Sequence, residues 1–272
     1  MAGHLYIVGT PIGNVADITI RAIETLRSAD LIACEDTRHT KILLDKYGIK
    51  TPTTSYHKFN IKAKTGFLID QIKQGKTVAL VSDAGTPGIS DPGQELVRSA
   101  AQENIKTEVV PGASALISAL SVSGLKTDRF AFEGFLPVKP SSRKEFLRAL
   151  SNEERTIVLY EAPHRILRTL EDLKEFFGDR NICIARELTK KFEEISRGKI
   201  AELIKKFSSS KPRGEFVIVI EGEKSAEKMK VDPELLVGDL VAAGVSRSNA
   251  VKIVAGRLKV PKNKLYRTTL ND

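Results

Sequence analysis

Cysteine is scarce in this chain of 272 residues. Its two cysteines, Cys34 and Cys183, lie far apart, and neither has another cysteine or a histidine at metal-site spacing. A disulfide framework and a zinc site are therefore not indicated. The sequence instead predicts two buried core thiols in a reducing compartment.

Long hydrophobic runs are also lacking. No apolar stretch approaches the roughly 20 residues that a helix needs to cross a bilayer. The amino terminus runs directly into a strand-like segment, Leu5–Val8, without the pattern of an export signal. We therefore expect a cytoplasmic protein with no membrane partner.

Several catalytic signatures are absent or imperfect. Gly75-Lys76-Thr77 is similar to the end of a phosphate-binding loop, but Asp70 replaces the earlier glycine and the run precedes a strand. The glycines of residues 9–13 lack the G-x-G-x-x-G spacing of a dinucleotide site. G-x-S-x-G and H-E-x-x-H do not occur. The sequence therefore supports no nucleotide kinase, nicotinamide enzyme, serine hydrolase or zinc peptidase.

What the chain has in excess is positive charge, with a formal net charge of +9. Such an excess favours a polyanionic partner such as nucleic acid or an anionic membrane face, although an inert basic surface fits this number equally well. The hydrophobic fraction of 41% allows a substantial core for two ordinary domains or one large one.

The order of apolar runs predicts two α/β halves followed by a small helical module. Short strand-like runs alternate with helical spacing up to residue 126, and the pattern restarts with a different rhythm at Phe130. We expect α/β domains at residues 1–126 and 127–223. A polar linker at 224–230 and a basic helical module at 231–272 would follow.

Two helix starts are predicted from capping residues. Asp91 followed by Pro92 is typical of an N-cap and a first helical position. Ser142 and Glu145 fit a capping box.

Two glycine-rich loops follow strands in the first half, at residues 8–14 and 82–93. In open α/β sheets, ligands bind at the carboxyl ends of the strands. Glycine lets the backbone approach a ligand closely. The short first loop is equally typical of a tight turn, whereas the longer second loop, with three glycines and two X-Pro steps, favours a binding site.

Six segments together resemble the bacterial 16S ribosomal RNA ribose 2'-O-methyltransferase I family of the tetrapyrrole methylase superfamily. They occur in order and span nearly the whole chain. They are residues 8–14, Cys34-Glu35-Asp36-Thr37-Arg38, residues 81–93, residues 110–115, Glu133-Gly134-Phe135-Leu136-Pro137 and Tyr160-Glu161-Ala162-Pro163-His164-Arg165.

The resemblance implies a class III methyltransferase: two α/β domains of tetrapyrrole-methylase type that bind S-adenosylmethionine in the cleft between them. It also implies a homodimer. By analogy, ten residues of the two domains would contact the cofactor. They are Thr10, Pro11, Gly85, Thr86, Ile89, Ser114, Ala115, Tyr160, Leu188 and Gly214.

The substrate implied by the resemblance is a cytidine ribose in the decoding region of 16S rRNA, within the 30S subunit. Methyl transfer to a 2'-hydroxyl requires that the hydroxyl be positioned against the methyl donor and that a base accept its proton. It requires no metal. The candidate catalytic residues are Asp83, Glu161 and His164. Asp91 is a fourth candidate for the base. Asp91 is equally typical of a helix cap, and a lone histidine such as His164 is more often an exposed side chain.

Basic residues cluster in the carboxyl-terminal module, where no acidic residue occurs between Arg247 and Arg267. A solvated helix face is the usual explanation of such lysines, but an RNA substrate favours phosphate contacts. The candidate RNA-binding residues are Arg38, Arg247, Lys252, Arg257, Lys262 and Lys264.

Two other functions keep the same fold. A small-molecule methylase of the tetrapyrrole pathway is one, but the second loop has Gly85-Thr86-Pro87 where the superfamily has Gly-Asp-Pro, which argues against it. A non-catalytic RNA-binding or ribosome-assembly factor is the other.

Overall fold

The computed structural model describes residues 3–209, 212–223, 232–258, 260–262 and 265–266. The chain divides into two compact units, Met1–Gly222 and Glu223–Asp272. Among the described residues, no helix combines the length and apolarity that a bilayer span requires.

The first sheet is parallel, with the strand order β3-β2-β4-β1-β5. Its central strand, β4, is buried at all four residues, as expected for an apolar run covered on both faces. The strands are β1 (Leu5–Val8), β2 (Leu31–Cys34), β3 (Thr53–Ser55), β4 (Val78–Val81) and β5 (Thr107–Val110).

Crossover helices follow these strands and cover both faces of the sheet. Leu26 of α1 and Leu44 of α2 pack on one face, and Leu68 of α3 and Leu96 of α4 pack on the other. The helices are α1 (Ile20–Ser28), α2 (Thr37–Lys46), α3 (Ile61–Lys73), α4 (Gln94–Gln102) and α5 (Ala115–Val122).

The second sheet is mixed, with the strand order β6-β7-β10-β8-β9. Its first pair is parallel and the other neighbours are antiparallel. The strands are β6 (Phe130–Phe135), β7 (Thr156–Glu161), β8 (Asn181–Arg186), β9 (Glu194–Lys199) and β10 (Phe216–Ile220). The helices α6 (Pro140–Leu150), α7 (Ile166–Phe177) and α8 (Ile200–Ser208) form one core with this sheet.

The other face of the second sheet is covered by α5, the helix that follows the last strand of the first sheet. Leu116 and Leu120 of α5 share a buried cluster with Val158, Val217 and Val219 of the second sheet. This packing brings the loops of the first sheet against the second sheet.

The unit Glu223–Asp272 has its own small core. Its helices α9 (Pro233–Ala242) and α10 (Arg247–Leu258) pack through Val237, Val251 and Val254. Asp232 caps α9 through the amide of Glu234, and Pro233 occupies the first turn, where its missing N–H costs nothing.

The predicted fold class is confirmed: two α/β halves of the tetrapyrrole-methylase type and a carboxyl-terminal helical module. The predicted domain boundary at residues 126 and 127 falls between α5 and β6, at the change of sheet, and it stays a prediction. The predicted linker at 224–230 lies outside the described residues.

Both predicted helix starts in the first unit are wrong. The helix after Asp91-Pro92 begins at Gln94 with Gly93 as its N-cap, because the glycine-rich loop continues to that residue. The helix predicted to begin at Ser142 begins at Pro140, whose fixed φ suits a first helical position. Asp91 therefore does not cap α4 and belongs to the glycine-rich loop.

Truncation of Leu120 to alanine should lower the free energy of unfolding by about 2–5 kcal/mol, because it leaves a cavity between α5 and the second sheet. Urea denaturation of the purified protein measures this loss. Ile117→Ala on the same helix is the matched control, since Ile117 is 52% exposed; it should change stability by less than about 0.5 kcal/mol. If the two variants lost the same free energy of unfolding, the stability of the protein would not depend on the buried face of α5 that carries Leu120.

Candidate functional site

Three loops at the carboxyl ends of β1, β4 and β5 are joined by backbone hydrogen bonds. The amide of Gly9 donates to the carbonyl of Val110 at 2.9 Å. Thr10 and Gly85 exchange two bonds: the Thr10 amide donates to Gly85 at 2.8 Å and the Gly85 amide to Thr10 at 3.1 Å. The Thr10 hydroxyl donates to the carbonyl of Ser82 at 3.1 Å. The loops are therefore held as one wall.

Gly9 and Gly112 make the closest approach between these loops. A Cβ built on Gly9 would lie 2.8 Å from the backbone nitrogen of Gly112, and one on Gly112 would lie 2.8 Å from the carbonyl oxygen of Gly9. Real Cβ atoms do not tolerate such distances, so glycine is required at both positions by the packing of backbone on backbone.

The loop of residues 82–93 turns sharply. Gly85 and Gly88 adopt φ angles of 77° and 84°, which favour glycine. Ser90 has a φ of 62°, an uncommon value for a residue with a side chain. Non-glycine residues in this region concentrate at functional sites, where the surrounding structure holds them.

A cleft of about 570 Å³ opens between this wall and the second sheet. It falls within the range of small-molecule sites. Nine of the residues predicted to bind the cofactor or to act in catalysis line it. They are Gly85, Thr86, Ile89, Asp91, Ser114, Ala115, Tyr160, Glu161 and Leu188.

The other predicted residues lie behind or beside this lining. Thr10 is buried and supports Gly85 from behind. Pro11 precedes the lining residue Ile12, and Gly214 precedes the lining residue Glu215. His164 is exposed and follows the lining residue Pro163. Their predicted roles stay predictions.

Tyr160 connects the two walls. Its ring packs edge-on against Phe132 and Phe135, with centroids 4.9 and 5.7 Å apart. Its side chain also packs against the buried cluster that contains Leu116, at the start of α5. Burial raises the pKa of the Tyr160 hydroxyl, with a smaller contribution from the charge of Asp91, so Tyr160 stays neutral and can donate a hydrogen bond into the cleft.

Three carboxylates lie at the edge of the cleft, after the neighbouring strands β2 and β4. Glu35 follows β2, and Asp83 and Asp91 follow β4. Asp83 accepts from the amide of Asp36 at 3.0 Å, which ties the end of β4 to the end of β2. Asp91 lines the cleft itself. Burial raises the pKa of Asp91 to about 6, and the nearby charges of Glu35 and Asp83 add to it against a hydrogen bond from Ser82.

Glu161 ends β7 with a fully buried carboxylate. Its oxygens accept from the Ala162 amide at 2.8 Å and the Thr169 hydroxyl at 2.5 Å. The Arg165 guanidinium lies 3.2 Å away and that of Arg143 lies 3.8 Å away. These contacts fix the turn of Ala162 and Pro163, which lines the cleft.

Arg143 is the centre of this buried network. Its guanidinium donates to Asp172 at 2.5 Å and to the Thr169 hydroxyl at 2.7 Å, and its side chain is 3% exposed. Sequence spacing gave no indication of this residue, because its partners Thr169 and Asp172 lie on α7 and are brought to it only by tertiary packing.

The predicted RNA-binding residues are divided between the two units. Arg38 is exposed and forms a bidentate pair with Asp36. Arg247, Lys252, Arg257 and Lys262 are exposed in the second unit. Lys264 lies outside the described residues.

His57 is a candidate functional residue that the sequence did not indicate. It follows β3, a strand of three residues with no marked apolar pattern. Its ring nitrogen Nδ1 is buried and has no hydrogen-bond partner among the described residues. An unpaired polar atom of this kind is costly and points to a functional role.

Comparison with known proteins identifies relatives over the full length. Residues 4–204 match the family of Tetrapyrrole (Corrin/Porphyrin) Methylases. A Ribosomal RNA small subunit methyltransferase I from Synechocystis sp. is 50% identical over 272 residues, which are 98% of each chain. The protein of the same name from Thermotoga maritima is 50% identical over 222 residues, which are 82% of this chain and 100% of the relative.

A solved structure shows the same fold. A diphthine synthase covers 81% of this chain and 90% of its own length, with a TM-score of 0.62 and 17% sequence identity.

Replacement of Arg143 by methionine should lower the free energy of unfolding by about 3–5 kcal/mol, because it leaves the carboxylates of Glu161 and Asp172 buried with too few partners. Chemical denaturation measures the loss. Lys144→Met is the matched control on the same helix: Lys144 forms an exposed pair with Glu175 and should contribute at most about 1 kcal/mol. A loss for Arg143→Met no larger than the control would contradict a structural role of the network.

Proposed function

Because the chain belongs to the tetrapyrrole (corrin/porphyrin) methylase family, and within it to the Ribosomal RNA small subunit methyltransferase I proteins, we propose that it methylates 16S rRNA. The reaction proposed is transfer of a methyl group from S-adenosylmethionine to the ribose 2'-hydroxyl of a cytidine in the decoding region. The observation that carries the proposal is 50% identity to a relative of that name over 98% of both chains.

The cleft fits S-adenosylmethionine in size and chemistry. Its volume of about 570 Å³ suits a ligand of this size, and Ile12, Leu116 and Val217 give it apolar surfaces for an adenine ring. The positive φ of Gly85 brings backbone groups to the wall without a side chain. The residues proposed to hold the cofactor are Thr10, Pro11, Gly85, Thr86, Ile89, Ser114, Ala115, Tyr160, Leu188 and Gly214.

When bound, S-adenosylmethionine supplies a methyl group on a positively charged sulfur, which the 2'-oxygen displaces in line. Because the methyl donor is already activated, the protein's main contributions are to orient the hydroxyl and to accept its proton. A carboxylate at the cleft wall with a pKa near the working pH is suited to accept this proton.

Asp91 meets these conditions best among the four candidate bases. It lines the cleft and its pKa is raised to about 6. Asp83 accepts a backbone hydrogen bond at the end of β2, and His164 lies exposed beyond the lining. Glu161 lines the cleft, but its carboxylate oxygens accept two hydrogen bonds inside the protein and lie beside the guanidinium groups of Arg143 and Arg165. We therefore assign the base to Asp91 and a positioning role to Glu161.

The RNA substrate and the partners follow from the same proposal. The small ribosomal subunit is the proposed particle on which the protein acts, and the cytoplasm is its proposed location. A homodimer is proposed on the resemblance to the family. Arg38 and the exposed cations Arg247, Lys252, Arg257 and Lys262, together with Lys264, are proposed to contact RNA phosphates.

Labelled S-adenosylmethionine offered to 30S subunits from a strain without the endogenous enzyme should label one ribose of 16S rRNA. The label is mapped by nuclease digestion and mass spectrometry of the fragments. Bare 16S rRNA serves as the parallel substrate. The proposal would be contradicted if the label appeared in a nucleobase or in a tetrapyrrole. It would also be contradicted if no RNA were labelled. Tight cofactor binding without transfer to any particle would favour a non-catalytic RNA-binding factor.

Asp91→Asn should lower kcat by about 10²- to 10⁴-fold, because an amide cannot accept the proton. For the native enzyme, kcat/KM for S-adenosylmethionine should fall about tenfold per pH unit below the Asp91 pKa of about 6, since only the ionised carboxylate is a base. The residual activity of Asp91→Asn should lack this acid limb.

Asp83→Asn and Glu161→Gln are the comparison variants, and both should keep the acid limb. Calorimetric titration with S-adenosylmethionine controls for loss of the cleft. An acid limb that disappears in either comparison variant and persists in Asp91→Asn would move the base to that residue.

A further inference from the structure

An exposed aromatic side chain stands beside the acidic edge of the cleft. Phe59 is 85% exposed, the highest value among the large apolar side chains of the described residues. It lies in the turn of residues 57–60 between β3 and α3. A ring exposed to this extent is available for contact with a partner, and its burial by that partner would be favourable.

Hydrogen bonds hold the turn that carries Phe59 in place. The amide of His57 donates to the side chain of Asn60 at 2.9 Å, and the Asn60 amide donates back to the His57 carbonyl at 2.8 Å. Tyr56 is buried and its hydroxyl lies 3.0 Å from that of Thr65 on α3. Because the turn is already ordered, a ligand that binds Phe59 loses little free energy in organising it.

The strand registers place this turn next to the cleft. Cys34 at the end of β2 is in register with Ser55 at the end of β3 and with Val81 at the end of β4. The amide of Tyr56 donates to the Cys34 carbonyl at 2.7 Å. The turn therefore emerges from the same edge, two strands from the loop of residues 82–93.

Electrostatic interactions also link the turn of residues 57–60 to the cleft. Burial raises the pKa of Glu35, the charge of Asp83 adds to the rise, and Lys58 and His57 oppose it. The charge of Glu35 in turn acts on Asp91, which lines the cleft. Lys58, Glu35 and Asp91 thus form a series from the turn to the proposed base.

The charge around Phe59 indicates what kind of partner covers it. The Nζ of Lys58 lies 4.9 Å from the centre of the Phe59 ring. Lys62 is exposed in the first turn of α3, and residues 56–69 contain no acidic residue. An exposed ring with a lysine over it, in a segment without acidic residues, matches a single-stranded nucleic acid, whose bases stack on aromatic side chains while its phosphates contact cations.

We propose that the turn of residues 57–60 is an RNA-binding platform, in which Phe59 stacks on an unpaired base beside the target nucleotide and Lys58 contacts a phosphate. This rests on the proposed function, because it takes the RNA to be the methyl acceptor in the neighbouring cleft. The platform lies in the first unit.

Fluorescence anisotropy with a labelled single-stranded oligoribonucleotide tests the platform without any need for turnover. Phe59→Ala should weaken binding by about 5- to 100-fold, the range for loss of one stacked base. Phe59→Trp should restore it, since a larger aromatic ring still stacks. Lys58→Ala should reduce the slope of log K against log salt by about 0.7, whereas Phe59→Ala should leave that slope unchanged.

Phe192→Ala is the matched control. Phe192 is 70% exposed and lies under Lys191, at 5.7 Å, but it belongs to the connection between β8 and β9. The Phe192→Ala variant should bind the oligoribonucleotide as the native protein does. Native affinity for Phe59→Ala, or an equal loss for Phe192→Ala, would overturn the proposal.

Two further measurements distinguish an RNA platform from a subunit contact and from a failure of the proposed function. With 30S subunits, Phe59→Ala should raise KM for the particle while the dissociation constant for S-adenosylmethionine stays unchanged. If the native protein methylates no RNA yet Phe59→Ala still weakens oligoribonucleotide binding, the platform holds and the proposed function fails. If Phe59→Ala converts a dimer to a monomer in sedimentation, Phe59 is a subunit contact and the platform is overturned.

Discussion

The packing of α5 against the second sheet determines where the other parts of the cleft lie. This helix follows the last strand of the first sheet, yet Leu116 and Leu120 are buried among residues of β7 and β10. The start of the helix carries Ser114 and Ala115 into the cleft, and Tyr160 packs against the cluster that contains Leu116. One hydrophobic contact therefore aligns the glycine-rich loops of one sheet with the strand ends of the other.

Two groups of carboxylates meet at this cleft, and their surroundings separate their chemistry. Glu161 is surrounded by donors, so its negative charge is balanced and its oxygens are occupied. Asp91 lies near other carboxylates and is partly removed from water, so its charge is disfavoured. The first arrangement suits a group that holds the backbone in place, and the second suits a group that exchanges a proton.

Much of the fold and the family was evident from the sequence, because glycine and proline mark the strand ends at characteristic spacings. The predicted fold class, the methyltransferase family and the two buried thiols at Cys34 and Cys183 are confirmed. The strand β3 gave no signal: it has three residues, and its burial is partial. Without it, neither His57 nor Phe59 could be placed beside Glu35. Arg143 was equally hidden, since its contacts with Glu161 and Thr169 depend on tertiary packing and not on spacing along the chain.

The contact between Gly9 and Gly112 limits how the cleft can be redesigned. Since backbone meets backbone there, the loops after β1 and β5 must change together, and a single added methyl group would displace both. An engineer who wanted the cleft to accept a bulkier cofactor analogue would do better to remodel the opposite wall. There, Leu188 and Val217 contribute side chains whose size can be altered without moving the backbone of the first sheet.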